Sequence, residues 1–233
     1  MRDIVYILKE DVDPYELTYS LRSVEKNFPF RKVWFVCGQP EGLIPDGRIV
    51  HRQRSTIRGE RTRESMWEII RNPDITEEFF LFNDDFFIMK PVTNDFINYS
   101  DGTLEDRIEK LRKKNPWLNH YGRLLFRAQQ ELRSLGYPEI NYDVHTPMLI
   151  NKTLARESIN KCSTPLMKSV YGNINRVPYI FHKDVKIRTM DFVPDDPDFL
   201  STDDDTFRDG AVGRYIRERF TEPSRFEVRD AEE

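Results

Sequence analysis

Short apolar runs rich in β-branched and aromatic residues alternate along this chain with polar stretches of helical spacing. Residues 4–8 predict a first strand, because a brief apolar run bounded by charges suits a strand covered on both faces. Pro14 follows, at a position where its missing N–H does little harm to a first helical turn. Leu17, Leu21 and Val24 then recur at spacings of four and three and define one apolar helix face. Residues 33–38 predict a second buried strand, ending at Gly38. Strand, helix and strand in this order predict a βαβ unit, a parallel sheet and a right-handed crossover.

The pattern continues with a Gly- and Pro-rich loop over 38–47, a short strand over 48–51, a basic loop over 52–63 and a helix over 65–71. Residues 79–82 predict the clearest buried strand. Asn83-Asp84-Asp85 interrupts that run, and 86–89 resumes it. Residues 103–136 predict helix with a break near Asn115-Pro116. A strand or strand edge over 142–150 would carry His145, and a helix is expected over 153–161. A late strand over 179–182, an acidic loop over 195–205 and a final helix over 211–220 complete the sequence of elements. The expectation is one α/β domain over 1–220, with 103–136 as a helical insertion and 221–233 as a frayed polar tail.

Composition narrows the class. With 38% hydrophobic and 33% charged residues in 233, the chain is expected to be globular with a heavily charged surface. A net charge of −4 argues against a generic nucleic-acid binder, although a local basic patch stays open. Two cysteines, Cys37 and Cys162, do not make a disulfide framework and fit a reduced, cytoplasmic setting. No apolar leader or spanning segment is visible, so no membrane insertion is expected.

The chemistry gathers at Asn83-Asp84-Asp85. Two adjacent carboxylates at the end of an apolar strand stand where open α/β sheets place their sites. Unpaired carboxylates between Phe82 and Phe86 would be costly, and Mg²⁺ or Mn²⁺ would relieve that cost. The plain alternative is the exposed turn of a β-hairpin. His145, with Asp143 two residues before it, is a candidate general base on an acceptor hydroxyl. His182 is a candidate third metal ligand, beside Asp84 and Asp85. Five arginines between residues 51 and 63 suit phosphate recognition, though a solvated loop is the plain reading for most of them. Candidate donor-binding residues are Arg22, Asn83, Arg58, Arg63 and Ser65.

Two blocks resemble a known family. Glu16-Leu17-Thr18-Tyr19-Ser20-Leu21-Arg22-Ser23-Val24-Glu25-Lys26 and Phe80-Leu81-Phe82-Asn83-Asp84-Asp85-Phe86-Phe87 resemble blocks of the Stealth family of sugar-phosphate transferases. His145-Thr146-Pro147 resembles its later His-x-Pro element, and 199–202 with 212–216 resemble bacteriophage proteins labelled glycosyltransferases. Thr18 stands where the family carries arginine, and 7–11 depart from its opening element. These departures bear on phosphotransfer more than on donor binding. The resemblance implies a GT-A-like fold. It also implies metal on Asp84 and Asp85, Arg22 near the donor, and His145 at or beside the chemistry. The expected activity is metal-dependent transfer from a nucleotide-diphosphate sugar, a UDP-sugar first, to an acceptor hydroxyl. Candidate acceptors are modified bases of phage DNA, a virion protein or a surface glycan. The alternatives are sugar-1-phosphate transfer and a non-catalytic sugar-binding module.

Overall fold

The computed structural model describes residues 1–55, 58–93 and 96–228, apart from the Arg58 side chain. Its central sheet has five strands: β1 (Asp3–Ile7), β2 (Val33–Val36), β3 (Gly47–Ile49), β4 (Glu78–Phe82) and β7 (Met148–Asn151). Their spatial order is β3-β2-β1-β4-β7; the first four run parallel and β7 is antiparallel to β4. Helices flank both faces, so the fold is α/β with a mixed, mostly parallel, Rossmann-like sheet.

Alternation along the strands explains why both faces are covered. Ile4, Tyr6, Val33, Phe35, Phe80 and Phe82 share one core with Leu17, Leu21 and Val24 of α1 (Pro14–Asn27). Val5, Trp34, Val36, Phe79 and Leu81 point the other way, onto Met66, Ile69 and Ile70 of α2 (Arg58–Arg71). Apolar side chains at both parities are what a strand buried on two faces requires.

The chain leaves this sheet at Asn83. β5 (Phe86–Ile88) does not pair with β4; it joins β10 (Phe199–Thr202) and β9 (Lys186–Ile187) in a second sheet. The hairpin alternative for Asn83-Asp84-Asp85 is therefore excluded. On its other side β5 is held by α1 instead of a strand. Ser20 Oγ donates to the Phe86 carbonyl at 2.5 Å, Ile88 N–H donates to Ser23 Oγ at 3.0 Å, and Asn27 Nδ2 donates to the Ile88 carbonyl at 2.7 Å. These spacings of three and four put all three side chains on one helix face. α7 (Asp204–Asp209) and α8 (Ala211–Arg219) cover the second sheet through Phe207, Val212 and Ile216 on Phe87 and Leu200.

The insertion is two helices, α3 (Leu104–Lys114) and α4 (His120–Ser134), broken at Asn115-Pro116 as the sequence predicts. Thr103 and Asp106 form a capping box on α3. The pair packs on α6 (Met167–Ile174), which follows α5 (Lys152–Lys161). β6 (Asn98–Ser100) and β8 (Tyr179–Phe181) form a small parallel pair whose β8 side chains are exposed.

Four expectations are corrected. Residues 58–63 are the first turns of α2 and not loop, because their polar side chains mask the helical period until Met66. His145 precedes β7 and does not lie within a strand. The acidic stretch 195–205 contains β10, whose four residues are all buried. Residues 221–228 are packed, not frayed: Phe226 enters the core, and Leu43 bridges to Glu227. Residues 229–233 lie outside the described residues.

Candidate active site

β1 and β4 are neighbours, and the connections from them lead to opposite sides of the sheet. The crevice at their carboxyl ends is thus a topological switch point, where open sheets bind ligands. Lys9 and Glu16 arrive there from β1 and α1, and Asn83-Asp84-Asp85 from β4. Gly38 fixes the β1 loop: a Cβ there would stand 2.1 Å from the Lys9 carbonyl oxygen, so only glycine lets the two backbones meet. Because β7 runs antiparallel to β4, the loop before β7 reaches the same end and brings His145 with it.

Asp85 is 6% exposed. Its Oδ2 accepts from Lys186 Nζ at 2.6 Å and Ser201 Oγ at 3.0 Å, which the register of β9 and β10 sets side by side. Its Oδ1 is buried with no hydrogen-bond partner. Burial pushes the carboxyl up, but the Lys186 ammonium, His145 and the two hydrogen bonds together hold it below its ordinary value. A buried charged oxygen without a donor is a costly arrangement that a cation would relieve.

Glu16 faces the same turn and accepts from Thr202 Oγ1 at 2.7 Å. Burial raises its carboxyl to about 8, the Thr202 hydrogen bond opposes this, and Asp85, Asp204 and Asp84 add to the rise. Without a cation this side chain carries its proton at neutral pH. A small cleft of about 30 Å³ adjoins Asp84 and Glu16, bordered by Lys9, Tyr15, Asp204 and the Arg208–Asp13 ion pair. That volume holds an ion or a water, not a nucleotide, so any donor must lie across its mouth. A wider depression of about 400 Å³ lies at the opposite end of the sheet, by Arg2 and Glu78, remote from these carboxylates.

His145 is held by Asp184. Its Nδ1 lies 2.9 and 3.0 Å from the two Asp184 oxygens, and its backbone N–H donates to Oδ1 at 3.1 Å. Burial pushes Asp184 up, but the His145 contacts and Arg107 hold it far below the ordinary carboxylate range. In a neutral imidazole, a carboxylate at Nδ1 keeps the hydrogen there and turns the Nε2 lone pair outward as the acceptor. Arg107 of α3 spans Asp184 and Asp101 at 3.6 and 3.7 Å. Lys168 of α6 donates to the carbonyls of Val144 and Thr146 at 2.7 and 2.8 Å and packs on the Phe86 ring. The His145 loop is therefore clamped from both flanks. Asp143 lies close to Tyr121, whose ionisation burial, and then Asp143, hold off to well above the usual range.

Several expected site residues are engaged elsewhere. Arg22 donates through Nε and Nη2 to both Glu227 oxygens and through Nη1 to the carbonyls of Phe220 and Thr221. It anchors the C-terminal segment. Arg63 donates to the carbonyls of Cys162 and Ile159, satisfying the end of α5. Ser65 is buried against His51 Nε2 at 2.9 Å. Asn83 shapes the turn, its carbonyl accepting from Phe86 N–H at 3.4 Å. Arg58 opens α2, and its side chain lies outside the described residues. His182 packs on the Tyr99 ring with Nδ1 at 2.6 Å from the Lys183 carbonyl oxygen, so its contacts are not with the Asp84–Asp85 turn.

Asp184, Lys186, Ser201 and Glu16 complete the site without having been singled out from sequence. Asp184 carries a faint signal: it lies two residues beyond His182, after the same strand. Among the described residues no three His, Cys, Asp or Glu side chains are grouped closely enough to hold a metal alone. One or two carboxylates with phosphate oxygens and water are the usual Mg²⁺ set, which Asp85 and Asp84 fit. No helix of the described residues is long and apolar enough to cross a membrane. No protein-family model matches the chain, and no curated protein sequence matches it.

Proposed function

We propose that this protein is a metal-dependent glycosyltransferase of GT-A-like type, moving a sugar from a nucleotide-diphosphate sugar to an acceptor hydroxyl. The observation that carries the reading is Asp85. One of its oxygens is fixed by Lys186 and Ser201, and the other is buried and unpartnered at the switch point of the sheet. Asp85 and Asp84 would hold Mn²⁺ or Mg²⁺, which when bound offsets the charge of a diphosphate leaving group. Lys9 and Arg208 border the same cleft and supply positive charge for phosphate oxygens. His145 accepts the acceptor's proton at Nε2, and Asp184 is its positioning residue, stabilising the imidazolium that forms.

The test is turnover of a panel of sugar nucleotides with Mn²⁺ or Mg²⁺, followed by chromatography of the nucleotide product. Release of nucleoside diphosphate is expected, with loss of at least a hundredfold in Asp85→Ala. Nucleoside monophosphate would instead assign sugar-1-phosphate transfer, as the Stealth resemblance suggests. Full activity in Asp85→Ala would remove the metal assignment, and no turnover of any donor would leave a sugar-binding module.

A further inference from the structure

Charge is unevenly distributed in this molecule. Residues 103–136 carry eight Lys and Arg against four Asp and Glu, a net of +4 in a chain whose net charge is −4. Much of the excess sits at the free end of the α3–α4 hairpin. Arg112, Lys113 and Lys114 close α3, and His120, Arg123 and Arg127 line one exposed stripe of α4 at spacings of three and four. Among the described residues, Arg112, Lys113, Lys114, Arg123 and Arg127 have no carboxylate within ion-pair distance.

Between these cations stands Trp117, 88% exposed. It is the most exposed large hydrophobic side chain among the described residues. Its backbone is fixed, since Trp117 N–H donates to Asn115 Oδ1 at 3.0 Å and Pro116 precedes it. The hairpin is rigid beneath it: Leu104, Ile108, Leu125 and Leu132 pack into one core with α6. Its inner side also supplies Arg107 to Asp184 and Tyr121 to Asp143.

We infer that this hairpin tip is a docking surface for single-stranded nucleic acid, with an unpaired base stacked on Trp117 and phosphates held by the surrounding Lys and Arg. An exposed aromatic side chain with cations that lack ion-pair partners on either side of it along the hairpin suits single strands, because every base has a π-face and every linkage a charge. A membrane surface fits less well. Interfacial helices bury a broad apolar stripe, whereas here Trp117 is accompanied only by Phe126, whose ring Arg112 covers at 5.7 Å. A duplex offers phosphates but no open base to the indole. The inference does not depend on the transfer reaction, because binding is measured without donor or turnover.

The experiment is fluorescence anisotropy of a labelled twenty-residue oligothymidylate with the full chain, at 50 and 200 mM salt. Five phosphate contacts correspond to a slope of about −3.5 in log affinity against log salt, a loss of roughly a hundredfold over that range. The paired variant K113E/K114E is expected to flatten the slope by about 1.4. Trp117→Ala should weaken binding roughly five- to a hundredfold, and Trp117→Phe should retain most of it. All these positions are exposed, so melting temperatures should match the parent and folding losses are separable. Duplex DNA bound as tightly as the single strand would overturn the inference. So would binding unchanged in both variants, or phosphatidylglycerol vesicles bound in place of the oligonucleotide.

Discussion

Replacing Glu16 by Gln is expected to stabilise the cation-free protein at alkaline pH while changing little in acid. The Glu16 carboxyl is raised from 4.5 to about 8, first by burial and then by Asp85, Asp204 and Asp84, with the Thr202 hydrogen bond opposing. The folded protein therefore keeps a proton that the unfolded chain releases. Its contribution is complete below the unfolded value and is lost as pH climbs through the folded one. Each unit of that window is worth about 1.4 kcal/mol, so between pH 5 and pH 8 Glu16 lowers stability by roughly 3–4 kcal/mol. In a domain of this size that is roughly 10 °C in melting temperature. Gln still accepts from Thr202 and has nothing to ionise. Urea unfolding in chelator at pH 5, 6.5 and 8 measures the difference: the parent should fall behind Glu16→Gln by roughly 3–4 kcal/mol across the series. Mn²⁺ at pH 8 should then stabilise the parent more than the variant, because only the parent can supply a third carboxylate charge. Parallel stability–pH curves would refute the protonated Glu16 and its crowding by the Asp84–Asp85 turn.

Asp184→Asn leaves the His145 contact but removes the charge that fixes the imidazole, and kcat is expected to drop about 10²–10⁴-fold with KM for donor little changed. Equal losses in kcat and donor binding would point to a purely structural role. Arg22→Ala breaks an ion pair only 14% and 15% exposed, and should destabilise by about 3 kcal/mol in urea unfolding. Because Arg22 holds Glu227 and two carbonyls, its donor KM should be near the parental value; a large rise would restore it to the donor site. A double-mutant cycle with Glu227→Ala should give a coupling of about 1–3 kcal/mol.

The legible part of this fold is the part whose physics is local. β1, β2 and β4 are apolar at both parities, and α1 announces itself by Pro14 and by the spacing of Leu17, Leu21 and Val24. The Asp-Asp turn was visible because charge interrupted an apolar run, and its site at a strand's carboxyl end follows from the parallel order. The start of α2 is hidden because its first two turns are built from polar residues with no apolar period, although Ser65 is buried and Arg63 is tied to the end of α5. β10 was hidden by acidic neighbours, although its own four residues are buried. His145 stands out as a residue type, but it lies in the loop before β7 and not within the strand. Its arrival depends on β7 running against β4, a long-range pairing that no local pattern encodes. Asp184, Lys186 and Ser201 are likewise joined to their partners across 39, 101 and 116 residues. The same limit applies to Arg22, whose carboxylate partner Glu227 lies 205 residues away.

That distance has a temporal side. Arg22 and Glu227 are 205 residues apart, and the Phe226 ring that seats beside Phe30 comes with Glu227. At translation rates of about 5–20 residues per second, roughly 10–40 s separate the synthesis of the arginine from that of its carboxylate. Through that interval the first βαβ unit has a guanidinium without its counter-ion and an apolar berth without its occupant. The early half of the nascent chain is thus completed only when residues 226 and 227 arrive.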